Sequence, residues 1–149
     1  MKYRSVNHIS DFEFHDAVVK IKEYDKNNLY LYIEALNLHK DAEQNIDAKH
    51  DLEIGLATIS FENIKIDNIE QPILKKAIKN TEQTIGLPAT FIEKLHAGGT
   101  VLFLKDHKIG HCEIGIDFID GGFYVANIIY DSLSIEWDDF LGPAWYVRG

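Results

Sequence analysis

From Asp16 to Ala35 the chain alternates between apolar and polar residues with a period of two. Ala17, Val19 and Ile21 fall on one side, and Val18, Lys20 and Lys22 on the other. Successive side chains of a strand point to opposite faces, so this pattern fits a strand with one buried face and does not fit a helix. His15 shares the parity of the buried set and is expected to point inward. After Asp25-Lys26-Asn27-Asn28, the residues Leu29, Leu31, Ile33 and Ala35 alternate with Tyr30, Tyr32 and Glu34. Two such runs joined by a short Asp/Asn turn predict an antiparallel hairpin.

Residues 38–51 carry Asp41, Glu43, Asn45, Asp47 and Asp51 without an apolar period, which predicts a long exposed loop. Leu52 to Phe61 returns to a strand-like run, and Ile64, Ile66 and Ile69 suggest another strand beyond the Glu62-Asn63 corner. The period then changes. Ile73, Leu74, Ala77 and Ile78 have helical spacing, with Pro72 suited to a first turn, and Phe91, Ile92 and Leu95 repeat it before Gly98-Gly99, a helix stop. Val101 to Lys105 and Ile109 to Phe118 flank Asp106-His107-Lys108 as a further hairpin. Asp120-Gly121-Gly122 then turns the chain into Phe123 to Tyr130.

The expected fold class is therefore α+β and β-rich. It has about seven mostly antiparallel strands in a meander or sandwich, with one or two short helices inserted near residues 71–97. A chain of 149 residues can bury a core without staples, and no Pro/Gly/Ser linker or repeat divides it, so residues 1–149 are read as a single globular domain. Charges at Asp11, Glu13 and Asp16 interrupt any leader-like apolar stretch, and no apolar run approaches the length that crosses a bilayer. A cytoplasmic location is the expectation.

A formal net charge of −9 sets nucleic acid and anionic membranes apart as partners and favours a basic protein. The only cysteine, Cys112, excludes an internal disulfide and a Cys-rich metal site. Its alternation with Ile114, Ile116 and Phe118 marks it as a small buried hydrophobe, while His111 and Glu113 share the opposite face near His107.

Adjacent His15 and Asp16 could supply two metal ligands, as in HD-type phosphohydrolases. Those enzymes carry the pair on a helix, whereas here it opens a strand, where neighbours face opposite ways. The spacing of acids from Asp41 to Asp47 is superficially like a calcium loop, but the turning glycine is missing and its twelfth position is Leu52. No phosphate-binding glycine loop, nucleophile elbow or His-Glu-x-x-His helix occurs, so no catalytic residue, metal or cofactor is assigned. The candidate partner-binding residues are the loop acids Asp41, Glu43, Asp47 and Asp51 and the aromatic-acidic tail residues Trp137, Asp138, Asp139 and Trp145. The tail has a structural alternative, in which Trp137, Phe140 and Trp145 cover an open end of the core.

Phe14-His15-Asp16-Ala17, the hairpin after it, the polar loop and the strand ending Ile59-Ser60-Phe61 resemble small bacterial β-rich domains, some of them immunity proteins of polymorphic toxin systems. Glu136-Trp137-Asp138 and Gly142-Pro143-Ala144-Trp145 echo them further. The resemblance implies a non-enzymatic protein that neutralises a cognate toxin. Two other readings remain open: a small metal-dependent hydrolase using His15 and Asp16 with distant ligands, and a homo-oligomeric structural domain sealed by the tail.

Overall fold

The computed structural model describes residues 1–72, 82–84 and 88–148. The strands are β1 (Tyr3–Val6), β2 (Phe12–Glu13), β3 (Val18–Tyr24), β4 (Leu29–Glu34), β5 (Asn37–Leu38), β6 (Leu52–Ile54), β7 (Ala57–Glu62), β8 (Lys65–Pro72), β9 (Glu82–Thr84), β10 (Gly99–Lys108), β11 (His111–Phe118), β12 (Phe123–Ile129), β13 (Ser132–Trp137) and β14 (Phe140–Pro143). Two α-helices, α1 (Pro88–Ala97) and α2 (Trp145–Arg148), and one 3-10 turn at Ile9–Asp11 complete the described elements. Among the described residues no helix is long and apolar enough to cross a membrane.

The hairpin predicted from alternation is β3–β4, registered Val19 to Ile33 and Ile21 to Leu31. Asp25 organises its turn by accepting the backbone N–H groups of Asn27 (3.0 Å) and Asn28 (2.6 Å). These bonds hold its carboxyl below the usual carboxylate range. Ala17, Val19, Leu29, Leu31 and Ile33 are buried, whereas Val18, Lys20, Tyr32 and Glu34 stand on the outer face.

This hairpin sits inside a ten-stranded antiparallel sheet of order β1-β13-β7-β4-β3-β10-β11-β12-β8-β9. The chain runs from β7 into β8 at Asn63-Ile64 and from β12 into β13 at Tyr130-Asp131, so one long pair of strands bends between distant places in that order. Asn63 takes the left-handed φ of 51° at its corner, and its amide donates to Asp131 Oδ2 (2.5 Å), which ties the two corners together. Strands that switch layers through such corners fold a sheet over on itself around one core. α1 lies against β3, β8 and β11, with Phe91, Ile92 and Leu95 buried and Phe91 edge-on to Phe118 at 5.4 Å between ring centroids.

A four-stranded sheet of order β14-β6-β5-β2 closes one end. Trp137, fully buried, joins the two sheets. It stacks on Tyr3 (5.5 Å) and meets Phe12 (5.8 Å) and Phe140 (6.1 Å) edge-on. Three aromatic partners around one buried indole each contribute about 0.5–1.5 kcal/mol beyond the area they cover.

The β-rich, antiparallel expectation holds, but the expected count of about seven strands is corrected upward to one sheet of ten and one of four. Strands of two to four residues, such as β1, β2, β5 and β14, are too short to display a period. The apolar run Leu52 to Phe61 hides a break at Gly55-Leu56. A meander of three strands describes only β10–β11–β12; β3–β4, β5–β6 and β8–β9 are consecutive pairs, and the other neighbours are non-consecutive. The turn expected at Asp106-His107-Lys108 lies instead at Ile109-Gly110, where Gly110 adopts a φ of 90°. The second expected helix is α1, followed as predicted by Gly98-Gly99. The one expected from Ile73 to Ile78 lies outside the described residues, and Pro72 ends β8.

Candidate functional site

The loop between β5 and β6 is built around one side chain. Asn45 is buried and its amide nitrogen donates to the carbonyls of Leu38 (3.3 Å), His39 (3.2 Å) and His50 (3.1 Å). Its oxygen accepts the N–H groups of Asp47 (2.8 Å) and Ala48 (3.0 Å). The loop mouth is closed by Asp51, whose Oδ1 accepts the Lys40 N–H at 2.8 Å. Gln44 reaches out and donates to the Arg4 carbonyl (2.8 Å), covering part of the β1 edge.

Asp51 has a second set of partners. Its Oδ2 accepts the Tyr146 hydroxyl (2.5 Å) and lies 3.2 Å from His39 Nδ1. Its own carbonyl accepts the Ala144 N–H at 2.9 Å, so the loop and α2 are fastened at one residue. Burial alone would raise the Asp51 pKa, but the bonds from Tyr146, the Lys40 N–H and His39 outweigh it and hold the carboxyl below its ordinary range. Burial and the same carboxylate push the Tyr146 hydroxyl upward. Asp51 is therefore an anion at neutral pH and Tyr146 a neutral donor.

Around this pair lies a cleft of about 300 Å³ lined by Glu13, His15, His39, Asp51, Trp145 and Tyr146. The expectation for His15 reverses. His15 is exposed rather than inward, because the chain turns sharply before β3: the Ala17 N–H bonds the Phe14 carbonyl (2.9 Å) and Asp16 takes a φ of 71°. That left-handed residue breaks the parity between positions 15 and 17. It also puts His15 Nδ1 3.2 Å from Asp16 Oδ2, so the two neighbours meet in a turn instead of facing opposite ways on a strand.

A larger concavity, about 510 Å³, lies on the outer face of β3 and β4. Val18, Tyr32, Leu56, Ala97 and Ile119 line it, with Lys20 and Glu34 at its margin. Its apolar side chains stand in solvent: Ile119 is 72% exposed and Leu56 51%. A neighbouring concavity shares Leu56 and Glu34 and adds Glu53 and the exposed Leu141. Register within the four-stranded sheet puts Glu53, Asn37 and Glu13 on one face of that sheet. Glu53 pairs with Asn37, and Asn37 with Glu13 of the cleft. Across the three concavities Glu13, Glu34, Asp51 and Glu53 stand against one lysine, Lys20.

The residues singled out from sequence do not form one patch. Asp51 and Trp145 meet in the cleft. Asp41 is exposed on the loop, Glu43 faces Arg4 and His8 in a separate groove, and Asp47 lies 3.1 Å from His50 Nδ1. Asp138 accepts the Lys2 N–H (2.8 Å), and the Asp139 carbonyl accepts the Gly55 N–H (2.8 Å). Trp137 is corrected: it is wholly inside the core, the structural alternative for the tail, and cannot touch a partner. Sequence alone gives Glu13, His39 and Tyr146 no binding role, since they come from β2, the loop and α2 and no sequence spacing joins them.

On β11 the expected parity holds. Cys112 is buried, and burial followed by the Asp106 and Glu113 charges pushes its thiol up to about 12. On the other face His107 Nε2 lies 3.7 Å from Glu113, with the His107 and His111 rings 4.9 Å apart. Among the described residues no group of three or more His, Cys, Asp or Glu side chains is arranged to hold a metal ion. No protein-family model matches the chain, and no curated protein or solved structure matches it either.

Proposed function

We propose that this chain is a non-catalytic protein-binding domain whose partner is a basic protein. The observation that carries the reading is the outer face of β3 and β4, where exposed Val18, Tyr32, Leu56 and Ile119 line a concavity of about 510 Å³. Contiguous exposed apolar surface is disfavoured in a protein that stays alone in water, and it marks a face that another molecule covers. Covering Leu56 and Ile119 would remove two large side chains from solvent, each worth about 1.5–3 kcal/mol on full burial.

Charge supports the choice of a basic partner. The apolar groove adjoins a concavity with Glu34 and Glu53, a separate cleft carries Glu13 and Asp51, and the three hold one lysine, within a chain of net charge −9. Such a field speeds encounter with a positively charged surface and sets its orientation. The resemblance of the N-terminal part to immunity proteins gives this reading its specific form: neutralisation of a basic toxin by direct contact.

The test uses Leu56→Asp and Ile119→Asp, both at exposed positions. Each should leave the thermal midpoint within a few degrees of the parent and lower affinity for the partner about tenfold or more, with higher salt weakening the parent complex. Undiminished binding by the double variant would overturn the assignment of this face.

A further inference from the structure

We infer that the cleft between the β2 turn and α2 receives a guanidinium group, an arginine side chain of the partner, a role that rests on the protein-binding reading above. The cleft combines three chemistries that a planar cation uses together. Trp145 offers an indole ring 52% exposed at the rim, with Tyr146 edge-on at 5.5 Å. Glu13 provides a carboxylate that no hydrogen bond or ion pair engages among the described residues. Asp51 supplies a second negative charge, kept ionised by its three donors. No lysine or arginine lines the cleft to neutralise them.

A further observation comes from β5, the strand paired with Glu13. Asn37 is fully buried, yet neither its side-chain nitrogen nor its side-chain oxygen has a hydrogen-bond partner among the described residues. Its register with Glu13 places both on the same face of the four-stranded sheet, the face on which Glu13 lines the cleft. Buried carboxamides are almost always satisfied, so this orphaned one, registered with an open carboxylate, leaves an oxygen to accept an N–H that arrives with a ligand; a guanidinium, which only donates, answers that oxygen and not the amide nitrogen. A guanidinium carries five N–H donors in one plane. It can fork onto Glu13 while its face stacks on Trp145. A lysine ammonium answers the charge but not the planar geometry, so arginine is the better occupant.

The probe is N-acetyl-arginine methylamide, titrated into the full chain and followed by the two tryptophan indole N–H signals in an NMR correlation spectrum. The Trp145 signal should move and saturate, while that of buried Trp137 stays in place and reports an intact fold. The isosteric citrulline analogue, which lacks the charge, should produce no saturable shift. Glu13→Gln should weaken binding about tenfold with the Trp137 signal unchanged, and Trp145→Ala should weaken it as well, followed through backbone signals of the cleft. No saturable Trp145 shift, an equal response to citrulline, or unchanged affinity in Glu13→Gln would overturn the proposal. Partner capture lost in Leu56→Asp but retained in Glu13→Gln would sink the cleft alone, whereas capture insensitive to both would sink the protein-binding reading.

Discussion

Single residues carry more of this structure than their surroundings suggest. Asn45 uses both ends of its amide to hold five backbone groups, so Asn45→Ala should cost about 2–4 kcal/mol in urea unfolding, at about 1 kcal/mol or more per buried bond lost. Asn45→Asp should cost at least as much, because a carboxylate cannot donate to the three carbonyls. Asp51 behaves differently, through charge. Its folded pKa is depressed below the ordinary 3.8, so it adds stability that is fully present above that value and is lost as pH falls through the folded pKa. Tyr146 runs the other way: its raised pKa leaves stability intact below the ordinary value of 10.0 and removes it as pH climbs above that. Thermal midpoints across pH should therefore fall at both extremes, and Tyr146→Phe should flatten both limbs. A Tyr146→Phe profile that superimposes on the parent would contradict the Asp51–Tyr146 bond. Cys112 gives a simpler check. With its thiol pushed up to about 12 and buried, it should resist a disulfide reagent in the folded state and react within minutes in denaturant.

At the level of elements, the junction between α1 and β10 is a tight backbone constraint. Gly98 has a φ of 90°, and a Cβ there would sit 2.7 Å from the Val19 carbonyl oxygen. A Cβ on Gly99 would sit 2.7 Å from the Asp117 carbonyl oxygen. Both contacts are with backbone, which cannot swing away, so Gly98→Ala should destabilise by about 2 kcal/mol or more and lower the thermal midpoint by several degrees. The Gly98-Gly99 stop and the alternation in β3, β4 and β11 were legible in the sequence because each is a local rule. The breaks were not. Asp16 in the left-handed region looks like any aspartate in sequence, yet it reverses where His15 points. β2 and β5 hold two residues each, and only their pairing with each other and with β6 makes them strands.

For the whole molecule, tertiary contacts decide which candidate residues can act. Trp137 and Trp145 read alike in sequence, but one welds the two sheets and the other stands at a cleft rim, because β13 ends inside the core and α2 lies beyond it. The cleft itself draws Glu13, His39 and Tyr146 from segments far apart in the chain, and the apolar groove draws Val18, Leu56 and Ile119 the same way. Net acidity is visible in the sequence, whereas which carboxylates line concavities needs the fold. The measurement that bears most directly on the proposed function is affinity capture from the source cell with three baits: the parent chain, the Leu56→Asp/Ile119→Asp double variant and Glu13→Gln. One basic protein held by the parent, released by raised salt and lost in the double variant is the predicted result. Recovery of the same proteins by all three baits, or of none that is basic, would contradict it.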